Sequence, residues 1–357
     1  MIFETLTGQK FPETYNSLQT KLESKSFFLS QIWFDNFLQT VVPDSDTILW
    51  FGCKTDTGEP LFLWPLWVHQ SSFFHPTKMS GLANYYTTRY EPLHAINNDN
   101  ILKEIITITA QRISQQSWDY IDLYPLNPKA PIYSHIVNAF QQLHRYAHPY
   151  FIYGNWFLLT NKQTFEEYFA TRPSILKNTI TRRLAKLKKY NTVEFRTCTN
   201  LAETEFALRN FQKIYARSWK KIEPYPEFIP GIVKAAAKKS WLRVGLLSIN
   251  HEVVAVQIWF SLHQTAYIYK LCHDSKFNNY SPGSLLTAYL MEYVINVDKV
   301  TKIDFLSGDD TYKKDWMSHR EECWGLQITN PRRISGFILT CKNLFSSYLS
   351  IPSSRNT

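Results

Sequence analysis

The chain of 357 residues is poor in cysteine. Five are present (Cys53, Cys198, Cys272, Cys323 and Cys341), odd in number and scattered, with no CxxC pair and no Cys/His spacing of a zinc site. Neither a disulfide framework nor a structural metal is expected, and a reducing setting follows. A chain of this length buries a sizeable core without such staples. Long apolar runs are missing too, falling well short of the roughly 20 residues that cross a bilayer. The start MIFETLTGQKF lacks the basic residues and continuous apolar core of a signal peptide. Low-complexity and linker-like stretches are absent as well, which leaves the expectation of a compact, soluble, cytoplasmic protein with no transmembrane segment and no metal.

The charge is less even. Lysine and arginine exceed aspartate and glutamate to give +9 and a pI near 9.1, which suits an anionic partner: a phosphorylated cofactor, nucleic acid or a membrane surface. Aromatic residues make up 16% of the chain, many of them on strand-like stretches.

Hydrophobic period organises the second half. TNLAETEFALRNFQKIYARSW (199–219) opens on an Asn200-x-x-Glu203 capping pattern and continues with apolar residues at helical spacing. IVKAAAKK predicts a short helix. LRVGLLSI (242–249), VVAVQIWFSL (253–262) and AYIYKLC (266–272) then read as an antiparallel meander joined by the three-residue turns NHE and HQT. A helix follows from Pro282, then the strand KIDFL (302–306), a short helix around TYKKDWM and a last strand CWGLQIT (323–329). The βαβ passage after a meander predicts a mixed sheet with helices on both faces.

The first half repeats this order more weakly. ILWFGC (48–53) and LFLWPLWV (61–68) precede a helix near 100–114, the strand YIDLYP (120–125), a helix near 132–143 and a strand at 150–159. Two diverged copies of one fold is the economical reading.

The segment NNYSPGSLLTAYLMEYV (278–294) is the informative one. A helix start presents unpaired N–H groups and the positive end of the macrodipole, which suits a phosphate. Ser281 reads as N-cap, Pro282 fits the first helical position, and Gly283 and Ser284 leave the backbone open. A plain Ser-Pro helix start is the bland alternative. The matching place in the first half holds Asp99, Asn100 and Ile101, so only the second half is expected to bind a ligand this way.

The residues that follow the basic helix carry a resemblance. W-L-R-V-x-x-L (241–247), V-V-A-V-Q-I (253–258), H-D-x-x-F-x-x-Y-S-P-G-S-L-L (273–286) and I-D-F-L-S-G-D-D-x-Y-K-K-D-W (303–316) resemble the CelD/BcsL type of GNAT-fold acyltransferase. W-P-L-W (64–67), G-L-A-N-Y-Y (81–86) and Y-E-P-L (90–93) look like that group's first half. The resemblance implies an α/β fold of tandem GNAT-like domains, each a mostly antiparallel mixed sheet flanked by helices, and is shared with Fem-type transferases. The boundaries it suggests are a degenerate domain at 1–155, a catalytic domain at 156–330 and an amphipathic tail at 331–357. It implies transfer of an acyl group, acetyl first among them, from acyl-CoA to an amine or hydroxyl of a small metabolite or sugar. A Fem-like transfer from aminoacyl-tRNA and a non-catalytic binding module in polysaccharide biosynthesis are the alternatives.

The same resemblance implies a site. Tyr312 matches the tyrosine that protonates the departing thiolate, though an aromatic anchor fits its place equally. His273, Asp274 and Asp309 stand at strand ends beside the presumed cleft as candidate bases, where a hydrogen-bonded scaffold or turn role is the alternative. The donor is assigned to Tyr269, Lys270, Asn278, Ser281, Pro282, Gly283, Ser284, Leu285 and Lys313. The chain departs from the usual Arg/Gln-x-x-Gly-x-Gly/Ala loop by holding Asn278, Ser281 and Gly283 in those places.

Two further segments stand outside this site. TRRLAKLKKY (181–190) predicts a helix whose cations Arg182, Arg183, Lys186, Lys188 and Lys189 form a solvated face or meet a CoA phosphate, an anionic glycan or tRNA. ISGFILTCKNLFSSYLSI carries Phe337, Ile338, Cys341, Leu344, Phe345, Tyr348 and Leu349 on one stripe, and is expected to dock that stripe on the domain.

Overall fold

A computed structural model of the chain describes residues 1–69 and 75–349. Its contacts separate two compact units, residues 1–153 together with 322 onward, and residues 154–321.

The first unit begins with β1 (Ile2–Thr7), α1 (Asn16–Glu23) and α2 (Gln31–Thr40), continues with β2 (Thr47–Lys54), β3 (Pro60–Val68), β4 (Lys78–Gly81) and β5 (Leu93–His94), and passes through α3 (Asp99–Ser114), β6 (Tyr120–Leu126) and α4 (Pro131–Gln142) into β7 (Tyr146–Leu159). β1, β2, β3 and β4 pair antiparallel in turn, and β4 pairs parallel to β6. Ile105, Ile106 and Ile113 of α3 and Ile136 and Phe140 of α4 bury against this sheet at helical spacing.

The second unit holds the rest of β7, then α5 (Phe165–Ala170), α6 (Ser174–Tyr190), β8 (Val193–Cys198), α7 (Thr204–Ala216), α8 (Phe228–Lys238), β9 (Leu242–Ile249), β10 (Glu252–Leu262), β11 (Thr265–His273), α9 (Pro282–Asn296), β12 (Lys302–Asp304) and α10 (Lys313–Trp316). β8, β9, β10 and β11 form the antiparallel meander, β12 adds parallel to β11, and residues 157–159 of β7 pair antiparallel with β12. The meander turns are tighter than three residues. Asn250-His251 and His263-Gln264 both take positive φ at their two central positions, the twist that suits a two-residue hairpin. Asn200 and Glu203 cap as expected, with the Asn200 side chain accepting from the Glu203 N–H.

α9 is apolar nearly all round because it is buried nearly all round: Leu285, Leu286, Leu290, Met291, Val294 and Ile295 lie in one core with Trp259 and Ile268 of the meander. Burying side chains of this size is worth roughly 1.5–3 kcal/mol each.

The last elements, β13 (His319–Thr329) and α11 (Ile334–Leu349), close the chain. Residues 324–329 of β13 pair antiparallel with β6, so this stretch and α11 belong to the first unit rather than to a contiguous 156–330 domain followed by a separate tail. α11 docks in the opposite sense to the sequence expectation. Its small and polar face packs inward: a Cβ on Gly336 would meet main-chain oxygens of Asn330 and Asp119 at 2.1 and 2.7 Å, Thr340 Oγ1 lies 2.5 Å from Thr329 Oγ1, and Asn343 donates to Gln327. The apolar stripe faces solvent, with Phe345 66% exposed and Ile338 61%. Tyr348 and Leu349, which extend that stripe in sequence, lie outside the residues whose side chains are described. No helix among the described residues is long and apolar enough to cross a membrane.

Candidate active site at the start of α9

A cavity of about 320 Å³ opens in the second unit over the first turn of α9. Asn278, Ser281, Gly283, Ser284 and Thr287 form its helix side, Gln257, Leu271 and His273 its sheet side, and the exposed Trp219 and Tyr312 and the buried Trp316 complete its lining.

The chain reaches this helix through six residues of 3₁₀ helix, 275–280, rather than an open loop. Asp274 makes that turn: its side chain accepts from the Lys276 N–H at 3.0 Å, it lies 3.5 Å from Arg217, and it is buried away from the cavity. Its carboxylate is therefore engaged as a cap and not presented as a base.

Ser281 occupies the N-cap position expected of it but does not cap. It sits in the left-handed region at φ 53, and its side chain makes no cap hydrogen bond. The first intrahelical bond runs from the Leu285 N–H to the Ser281 carbonyl at 3.1 Å. Pro282 has no N–H, so the amides of Gly283 and Ser284 precede the ladder and find no partner in the helix. The corresponding helix of the first unit, α3, differs at this point: Asn98 Oδ1 accepts from the N–H groups of Asn100 and Ile101 at 3.0 and 3.2 Å. Two equivalent helix starts are thus finished differently, one plugged by a side chain and one bare.

Gln257 of β10 fixes the bare end. Its buried amide donates to the Gly283 carbonyl and to Thr287 Oγ1, both at 2.9 Å, while its own oxygen accepts from Trp259 Nε1 at 2.9 Å. His273 closes the other side. Its Nε2 lies 2.8 Å from Asn278 Oδ1. Nδ1 is buried and has no partner among the described residues. A Cβ at position 283 would come within 3.2 Å of that nitrogen, so glycine is what lets the ring lie against the helix start. Burial, above all, holds His273 below the ordinary imidazole value, against a smaller opposing pull from Asn278. Burial thus favours its neutral form.

Tyr312 stands at the rim with its ring edge-on to Phe305 at 5.6 Å and is 43% exposed. Burial, with Asp310 nearby, pushes its phenol above the usual value, so it stays protonated and able to donate.

The other assigned residues lie elsewhere. Asp309 is not at the cavity: it accepts from Trp156 Nε1 at 2.7 Å and forms an ion pair with Arg320, whose hydrogen bonds hold its carboxyl down at about 2. Such a carboxylate is a weak base. Lys313 is buried and bonds the carbonyls of Ser307 and Phe305 at 2.5 and 3.3 Å, with burial lowering its ammonium to about 8. Lys270 pairs with Glu223 at 2.7 Å, and the Tyr269 ring packs against Phe260 at 5.1 Å. Leu285 belongs to the core beneath the site, and its N–H is already used.

Sequence reasoning passed over Gln257, Thr287, Trp316 and Trp219. The Trp219 ring lies 4.7 Å from that of His273. It also passed over Lys220, whose ammonium is lowered by burial and is near enough to His273 to depress it. The cations of α6 are where a solvated face puts them: Leu176, Ile180 and Leu187 are buried while Arg182, Lys186, Lys188 and Lys189 are exposed.

Residues 175–314 match the model of the acetyltransferase (GNAT) domain. No curated protein matches the chain. Among solved structures, FemX is similar at 10% identity and a TM-score of 0.64, covering 94% of this chain and 99% of its own. A tandem GNAT protein from the clavulanic acid biosynthesis pathway is similar at 9% identity and 0.51, covering 92% and 99%. L-PGS from Bacillus licheniformis is similar at 9% identity and 0.54, covering 96% and 98%. Residues 175–314 are thus similar to the acetyltransferase (GNAT) domain, in a chain with the fold of tandem GNAT proteins.

Proposed function

We propose that the second unit transfers an acyl group, acetyl first among candidates, from acyl-CoA to an amine or hydroxyl of a small metabolite or sugar. The observation that carries this is the contrast between the two helix starts: Asn98 plugs α3, whereas the amides of Gly283 and Ser284 at α9 are left without a cap. Bare amides at the positive end of a helix suit a diphosphate such as that of coenzyme A. The fit is less than complete, because Asn278 stands where the usual loop has a cationic or amide anchor and is bonded to His273.

Acyl-CoA supplies an activated thioester when bound. The chain's own groups supply the rest. His273, whose ring lines the cavity and whose neutral form burial favours, takes the proton of the attacking amine or hydroxyl. Tyr312, held protonated, returns one to the leaving sulfur. Trp219 and Trp316 line the cavity beside these groups. The finer likeness to CelD/BcsL proteins and a cytoplasmic setting belong to the same proposal.

Isothermal titration with acetyl-CoA and longer acyl-CoAs tests it. Saturable binding that Gly283→Trp abolishes is the expected result, and indifference to every acyl-CoA sinks it. A Fem-like donor is the second reading, favoured by the exposed cations of α6 and the missing anchor. Salt-dependent binding of charged tRNA by a chain indifferent to CoA would select it. Biological output that survives both Tyr312→Phe and Gly283→Trp would select a non-catalytic module.

A further inference from the structure

α11 shows the first unit a face of Gly336, Thr340 and Asn343 and shows solvent a face of Ile334, Phe337, Ile338, Cys341, Leu344 and Phe345. Those six residues recur at three- and four-residue spacing and form a continuous apolar strip on the outside of the molecule. Contiguous exposed strips of this kind mark interaction surfaces. The docked face is firmly held: Arg333 reaches Asp119 at 2.7 Å and Ser117 at 2.8 Å, and Asn330 reaches the Trp118 carbonyl at 3.2 Å. The apolar face is therefore presented by a fixed helix.

The surrounding charge says what it faces. No acidic residue occurs from 331 to 357, while Arg332, Arg333, Lys342 and Arg355 do. Arg145, at the end of β7 nearest α4, is only 7% exposed, and its Nε and Nη1 have no hydrogen-bond partner among the described residues. Its guanidinium lies over the Trp118 ring at 5.6 Å and close enough to Arg332 for the two to repel. Neither arginine has a carboxylate in ion-pair reach among the described residues. Two neighbouring cations without a paired carboxylate among the described residues leave a local surplus of positive charge.

We propose that α11 is a docking surface for an anionic lipid bilayer, its apolar strip entering the interface and the exposed Arg332 meeting a lipid phosphate. The surface is independent of the acyl-transfer site of the second unit. Neither a neutral protein groove nor water would satisfy both halves of it, since one is greasy and the other demands negative charge.

Flotation of the full chain with vesicles decides the matter. Binding to phosphatidylcholine vesicles containing one third phosphatidylglycerol, with little binding to phosphatidylcholine alone, is expected. Phe337→Ser combined with Phe345→Ser, both exposed and tolerable to the fold, weakens binding by about tenfold or more. Arg332→Gln weakens it about fivefold. Circular dichroism confirms that each variant is folded. Absence of binding to the anionic vesicles, or binding equal in all three proteins, overturns the proposal. So does a concentration-dependent dimer, seen by sedimentation equilibrium, that the phenylalanine variants dissolve without any vesicle binding, because the strip then serves a second copy of the chain.

Discussion

Gln257 donates its side-chain amide to the main-chain carbonyl of Gly283 at 2.9 Å, tying the middle of a buried strand to the first turn of the helix that carries the site. The same amide meets Thr287, and Trp259 donates back to its oxygen. Gln257→Leu removes the donor while leaving Trp259 with a buried, unpaired N–H. It is expected to cost about 1–3 kcal/mol of stability, read by urea denaturation. A variant as stable as the parent would show that the tie is idle.

Tyr312→Phe deletes one oxygen at an exposed rim position and nothing of the core. If the phenol delivers the proton to the leaving sulfur, kcat falls by about 10²-fold with little change in KM. Steady-state assays with a thiol-trapping reagent measure both. An unchanged kcat returns Tyr312 to the role of an aromatic support for Phe305.

His273 and Asp309 make opposite predictions about pH. Because burial depresses His273, its neutral form persists below the ordinary value of 6.5, and activity that depends on it falls only as pH drops through that lower value. Asp309, held at about 2 by Arg320, titrates far below that range. The acid limb of the kcat/KM profile should therefore vanish in His273→Gln, together with most of the rate, and persist in Asp309→Asn. Persistence of the limb in His273→Gln would assign the base elsewhere.

Acid should also loosen the first unit. His69 stacks on Trp67 at 4.4 Å, lies 2.8 Å from Ser80, and is pushed by burial, with help from Lys78, down to about 4. The unfolded chain binds its proton first, so stability is complete above pH 6.5 and is lost as pH falls toward 4. The loss reaches about 3 kcal/mol at most for this group. Thermal unfolding across that window, compared with His69→Gln, isolates the contribution as a flatter profile in the variant.

The meander and α9 were legible because their signals are local. LRVGLLSI, VVAVQIWFSL and AYIYKLC are β-rich runs with turn residues between them, and the apolar start at Pro282 is sharp. β1 and β8 were not, since IFETLT and VEFRTC mix polar and apolar residues at the margins of their units and gain their strand character from the partner they pair with. The destination of β13 was hidden for the same reason: pairing with residues 120–126 is a tertiary fact that no window around residue 325 contains. At the site, Ser281, Gly283 and His273 announced themselves, whereas Gln257 looked like one more position in a core strand. Asp274 and Asp309 misled because a carboxylate at a strand end reads as reactive until its partner, Lys276 N–H in one case and Arg320 in the other, is located.

The return of residues 324–329 to β6 governs how this molecule can be divided. A fragment ending near residue 155 would leave Ile121 and Leu123 on a naked border strand and remove the buried Leu326 and Ile328 beside them. Such a piece is primed to stick to its own kind. The second unit, by contrast, is one uninterrupted stretch, although both its ends, at residues 154 and 321, lie within β7 and β13.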